Sequence, residues 1–164
     1  MKTIIIGFYT GNYPIDKVIA WWTYGPIVHT SITLDNITYE AKGNLNKVIK
    51  RTHKNKYNPK IHKKLQVTEK EFNTIKTFLE KCLNDKYDYY GILGFVLPTK
   101  DRTNMWFCSE LVSNALKIIG REEFMKLEPS TISPNQLYSI LYGKDLVKYN
   151  RLYNIRYLFK NATM

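Results

Sequence analysis

A chain of 164 residues, 44% hydrophobic and 24% charged, is long enough for one packed core and has the balance of a soluble globular domain. Two cysteines exclude a disulfide framework, the lack of a C-x-x-C pair argues against a structural zinc site, and no run approaches the ~20 apolar residues of a membrane span. The net charge of +11 is unevenly placed: Ala41 to Thr68 holds nine Lys/Arg, two His and no acid, which speaks to partners and not to fold.

In chain order, Thr3–Tyr9 is β-branched and aromatic and is expected as a strand. Its apolar run is shorter than the ~7–15 residues of a signal-peptide core, so the expected location is cytoplasmic. Pro14 at a first helical position predicts a short helix over Ile15–Thr23, with Val18, Ile19 and Trp22 on one side. Tyr24-Gly25-Pro26 ends it. Ile27–Leu34 and Ile37–Ala41 form a predicted hairpin around Asp35-Asn36. Val48–Ile49 and Ile61–Val67 are expected strands flanking a basic loop.

Thr68 and Glu71 make a capping box for a helix reaching about Leu83, whose stripe is Phe72, Ile75, Leu79 and Cys82. Cys82 is thus a core residue. Lys86–Leu97 and Pro98–Asn104 are expected as loops, the first leading into a short helix. A helix follows over about Phe107–Ile119, stopped by Gly120, and Ser133-Pro134 opens another to Tyr142. Gly143-Lys144-Asp145 is a turn before two closing strands, Leu146–Tyr149 and Tyr153–Phe159. This order defines an α+β domain.

Three residues along this order have complementary chemistry. Cys108 opens a helix, where unpaired N–H groups and the dipole stabilise a thiolate. His29 lies on a strand and has the pKa range of a general base. Glu40 lies on the returning strand. A two-residue turn makes facing positions sum to 71, which sets Glu40 opposite Ser31 and one diagonal step from His29. Together they supply nucleophile, base and orienter. Each also has a plainer role: a small thiol packed beside Trp106, Phe107 and Leu111, a His satisfied by a hydroxyl, and a strand-end ion pair. Glu110 has a structural role on its helix, and His53 and His62 are solvated.

The segments carrying these residues resemble a known family. "WTYGPIVHTSITL", "TYEAKG", "YDYYGILGF", "FCSELVSNAL" and "ISPNQLYSIL" are similar to the circularly permuted, papain-like branch of the NlpC-type superfamily, with its YiiX-like and lecithin:retinol acyltransferase-like members. Thr30-Ser31 stands where that pattern usually has Val-Gly. The resemblance implies a permuted papain-like α+β core, with a nucleophile helix on a small antiparallel sheet. It implies a thiol hydrolase or acyltransferase working through a thioacyl-enzyme on Cys108, with His29 as base and Glu40 as orienter.

The resulting expectation is a single domain over 1–164 with a basic insertion at 41–68. Its expected activity is cleavage of a peptide or amide bond, as in peptidoglycan stem peptides, with no cofactor and no metal. The Lys-rich segment 42–64 is expected to meet an anionic polymer or membrane surface. Two alternatives stay open: a lipid-directed acyltransferase or phospholipase, and a basic binding protein that has lost catalysis.

Overall fold

A computed structural model describes residues 1–52, 59–90 and 104–143. Seven strands form one sheet: β1 (Lys2–Tyr9), β2 (His29–Leu34), β3 (Ile37–Lys42), β4 (Lys47–Thr52), β5 (Ile61–Val67), β6 (Lys86–Tyr87) and β7 (Met105–Trp106). Their spatial order is β5-β1-β2-β3-β4-β6-β7, antiparallel throughout except for the β6–β7 pair. Among the described residues five helices accompany them: α1 (Pro14–Trp22), α2 (Glu69–Lys81), α3 (Cys108–Lys117), α4 (Glu122–Met125) and α5 (Pro134–Tyr142). The architecture is α+β.

Period-two alternation decides which side of the sheet carries the core. Ile4, Ile6 and Phe8 of β1, Ile32 and Leu34 of β2, Tyr39 and Ala41 of β3 and Val48 of β4 are all buried in one cluster. Phe72, Ile75 and Leu79 of α2 and Leu111, Val112, Ala115 and Leu116 of α3 complete it. Burial of each large side chain stabilises the fold by about 1.5–3 kcal/mol, which holds α3 against β2 and β3.

The β2–β3 hairpin turns as its sequence demands. Asp35 and Asn36 both have positive φ, 44° and 65°, the pair that a two-residue turn matched to strand twist requires. The register follows at once: Leu34↔Ile37, Thr33↔Thr38 and Ile32↔Tyr39. All three pairs sum to 71.

The capping box of α2 is present, with the Thr68 hydroxyl accepting from the Glu71 N–H at 3.2 Å. That helix ends at Lys81, two residues short of the expected end, and Cys82 is its buried C-cap.

Several expectations need correction. Within the basic segment 41–68, the strand expected at Ile61–Val67 is present as β5, which pairs with β1, and the one expected at Val48–Ile49 is longer, spanning Lys47–Thr52 as β4. Alternation turns Val48 and Val67 inward and leaves Lys47 and His62 exposed, while Lys50, on the same face as Val48, reaches Glu80 of α2 at 2.7 Å. β2 starts at His29 and not at Ile27. Val18 of α1 is half exposed, so the buried contact of that helix rests on Ile19. Lys86-Tyr87 is a short strand where a loop was expected, and α4 had no clear periodicity to announce it. The short helix expected near Leu97, the loop up to Thr103 and both closing strands lie outside the described residues.

Candidate active site

Cys108 is the first residue of α3. The sequence F-C-S-E starts the helix there because Glu110, at the third helical position, reaches back to accept the Phe107 N–H at 3.3 Å. Glu110 therefore has the capping role its position suggested. Cys108 is 4% exposed. The backbone N–H groups of Thr30 and Ser109 lower its pKa, so the first helical turn and the start of β2 both stabilise negative charge there.

His29 is the first residue of β2, paired with Tyr9 of β1, whose ring lies 5.2 Å from the imidazole. Its Nε2 lies 2.7 Å from Glu40 Oε2, and its ring is near enough to the Cys108 thiol for each to shift the other's pKa. With Nε2 committed to the carboxylate, Nδ1 is the nitrogen left for the thiol. The segment that delivers His29 is held by α5. Asn135 Oδ1 accepts the Ile27 N–H at 3.0 Å, and its amide donates to Ile27 O at 2.9 Å and Thr23 Oγ1 at 2.6 Å. Gly25 allows this approach, because a Cβ there would stand 2.3 Å from Asn135 Oδ1.

Glu40 is 0% exposed, and a buried carboxylate needs partners on both oxygens. Oε2 meets His29. Oε1 accepts from Arg51 Nε at 2.7 Å, with Lys42 Nζ 4.0 Å away. Arg51 also donates to the Tyr9 hydroxyl at 3.5 Å, which in turn lies 2.9 Å from Ser31 Oγ.

The three sequence-predicted residues thus come together, and Arg51 joins them from the basic segment. No motif marks Arg51. Its signal was register: pairs across β3–β4 sum to 89, which sets Ile49 opposite Glu40 and Arg51 one diagonal step away.

The charges alternate along this chain of contacts, and protonation follows. Burial disfavours a charged imidazole, but hydrogen bonds and charge from Cys108 and Glu40 outweigh it and raise His29 to about 9. Burial likewise opposes ionisation of Glu40, yet His29 and Arg51 hold it at about 2. Burial also works against the Cys108 thiolate, while His29 and the two N–H donors prevail and lower its pKa. Cys82 is the internal contrast: burial and the Asp85 charge push its thiol up to about 12. The shifts of Cys108 and His29 thus both favour a thiolate–imidazolium pair, backed by a carboxylate and a guanidinium.

A cleft of about 810 Å³ opens onto His29. Val28, Ile19 and Tyr87 line its depth, and Tyr13, Ile15 and Tyr89 stand at its rim. Tyr89 is fixed by donating its hydroxyl to Gly43 O. The side chain of His29 is 18% exposed, so a bound molecule in the cleft reaches the imidazole directly. Tyr87, buried between cleft and thiol, is near enough to Cys108 for the sulfur's charge to raise its own pKa after burial has done so. Among the described residues no group of three or more His, Cys, Asp or Glu side chains is placed to hold a metal ion. No protein-family model matches the sequence, and no curated protein is similar to it.

Proposed function

We propose that this chain is a cysteine hydrolase of the permuted papain-like kind, cleaving a peptide or amide bond through a thioacyl-enzyme on Cys108. The observation that carries the reading is the contact chain Cys108–His29–Glu40, with a 2.7 Å His29–Glu40 hydrogen bond behind a thiol at a helix N-terminus.

In the proposed reaction the Cys108 thiolate attacks the acyl carbonyl and its electron pair forms the S–C bond. N–H groups of the first turn of α3, that of Cys108 among them, stabilise the oxyanion; such a donor is worth about 10²–10³ in rate. The tetrahedral intermediate collapses as His29, already protonated, gives its proton to the leaving nitrogen. Now neutral, His29 takes a proton from water, which attacks the thioester and releases the acid. Glu40 keeps the imidazole in one orientation and stabilises its charged form in both halves of the cycle.

The test is intact-mass trapping on wild-type protein and Cys108→Ala, using a mixed panel of peptide, amide and lipid ester substrates. A mass increase mapped to Cys108 and absent in Cys108→Ala is expected, and the mass of the adduct names the acyl group. An adduct from lipid esters alone would move the chain to the lipid-directed alternative. A Cys108 that forms no adduct and alkylates no faster than Cys82 would rule out thiol catalysis.

A further inference from the structure

The cleft opens at one rim of the sheet, where β1 and β3 end and β2, β4 and β5 begin. Most of the large apolar side chains that the described residues leave exposed stand on that rim. On one side Tyr13, Ile15, Val18 and Trp21 are 74%, 57%, 50% and 55% exposed. On the other, Leu45 and Tyr89 are 49% and 51% exposed. Helical spacing sets Ile15 on the same face as buried Ile19, with which it lines the cleft, while Val18 and Trp21 turn progressively away from it. Contiguous exposed apolar area of this kind marks an interaction surface, not scattered surface residues.

Charge on the same rim is more basic than acidic. Lys17, Lys47, Lys60 and Lys86 are exposed there. Two acids lie among them, both held by neutral donors: Asp16 accepts the Tyr13 N–H at 3.0 Å, and Asp85 accepts from Trp106 Nε1 at 2.9 Å. Exposed acids instead gather at the opposite rim, where Asp35, Glu69, Glu122 and Glu123 surround the far ends of β2 and β5. Exposed lysines thus outnumber acids around the cleft mouth, beside the apolar groups, while the far rim carries acids together with Lys2 and Arg121.

We propose that this rim is a membrane-docking surface, with α1 lying in the interface of an anionic phospholipid bilayer and presenting the cleft to it. Trp, Tyr and aliphatic side chains ringed by Lys suit the headgroup boundary, where rings sit among headgroups and cations meet anionic lipid. A nucleic acid would use the lysines but would leave Ile15, Val18 and Leu45 in water. The docking needs no chemistry at Cys108.

The experiment is co-sedimentation of the full chain with vesicles of phosphatidylcholine, with or without phosphatidylserine, across a salt series. Binding to the phosphatidylserine vesicles is expected, weakening as salt rises. A Val18→Asp/Trp21→Asp variant should lose about tenfold or more in partitioning, while Cys108→Ala binds as wild type does. Because both aspartates are placed on exposed positions, an unchanged melting temperature is expected; if the variant unfolds, fluorescence decides. Brominated acyl chains should quench wild-type tryptophan emission, and quench Trp21→Phe less. Failure to sediment with phosphatidylserine vesicles overturns the proposal. So does sedimentation that the double variant leaves unchanged, equal quenching in Trp21→Phe, or binding to DNA without binding to vesicles. Vesicle binding with no adduct on Cys108 would leave the docking standing and remove the hydrolase.

Discussion

Replacing Glu40 with Gln removes one charge from the middle of the site and keeps the side chain's shape. The 2.7 Å contact to His29 becomes a neutral hydrogen bond. A hydrogen bond to a charged group is worth about 1.5–3 kcal/mol and a neutral one about 0.5–1.5 kcal/mol. The loss is thus about 1–2 kcal/mol of preference for imidazolium, or about one pKa unit or slightly more at 1.36 kcal/mol per unit. His29 should fall from about 9 to about 8 or below. The thiolate–imidazolium pair loses the same free energy against the neutral pair, so its population ratio drops about tenfold.

Iodoacetamide alkylation across a pH series reads this directly. In wild type the Cys108 rate should be nearly flat through neutral pH, while Cys82 stays silent because its thiol is held at about 12. In Glu40→Gln the Cys108 rate should fall at neutral pH and climb with pH. The His29 ring protons, followed by NMR, should titrate at correspondingly lower pH. An unchanged Cys108 profile in a folded Glu40→Gln protein would refute the claim that the carboxylate supports the ion pair.

Arg51→Met should leave Glu40 Oε1 with only distant Lys42. Removing one partner of a buried ion pair costs about 3–5 kcal/mol, and because Glu40 keeps His29 on its other oxygen the lower end, about 3 kcal/mol, is expected; chemical denaturation measures it, and Arg51→Lys should recover part. The pH dependence of stability has a definite sign. Glu40, with a depressed pKa, stabilises the fold above its ordinary value of 4.5, and this is lost as pH falls toward about 2. His29, with a raised pKa, stabilises it fully below 6.5, and this is lost as pH rises through about 9. Melting temperature should fall at both ends, and Glu40→Gln should flatten both slopes. Asn135→Ala strips three hydrogen bonds from Thr23 and Ile27; a loss of about 2–4 kcal/mol in a urea titration is expected, with a drop in Cys108 alkylation because His29 is less well held.

The sequence was most legible where one local rule had no competitor. Asp35-Asn36 can turn in only a few ways, so the hairpin register followed from counting. Thr68 and Glu71, Ser133 and Gln136, and Gly143 at φ 60° all act within a few residues of themselves. Legibility failed where tertiary context decided. Val18 shares the helical period of a core position, yet α1 crosses the sheet rim and offers only Ile19 to the interior. β5 was legible over its full length, Ile61–Val67, whereas only Val48–Ile49 of β4 could be read, because Lys47, Lys50 and Arg51 lie on both of its faces and blur the alternation. For the site, residue types pointed to Cys108, His29 and Glu40, and geometry was needed to find Arg51.

Arg51 also explains why the basic segment is built into the sheet and not hung from it. Glu40 occupies the central strand of three and needs a cation on each carboxylate oxygen. Diagonal pairing across an antiparallel ladder offers two such positions, one on each neighbouring strand. β2 fills the first with His29 at 2.7 Å, and β4 fills the second with Arg51 at 2.7 Å. A lysine at position 51 would bring a point charge, whereas the guanidinium can hold the carboxylate through Nε and still reach the Tyr9 hydroxyl through Nη2. Tyr9 packs on the opposite side of His29 in β1. The four strands β1–β4 thereby enclose one imidazole, and each contributes a side chain that either touches it or fixes a group that does. The ordering of His29 thus depends on the whole central sheet, and the basic character of residues 47–52 is in part the counter-charge of a buried carboxylate.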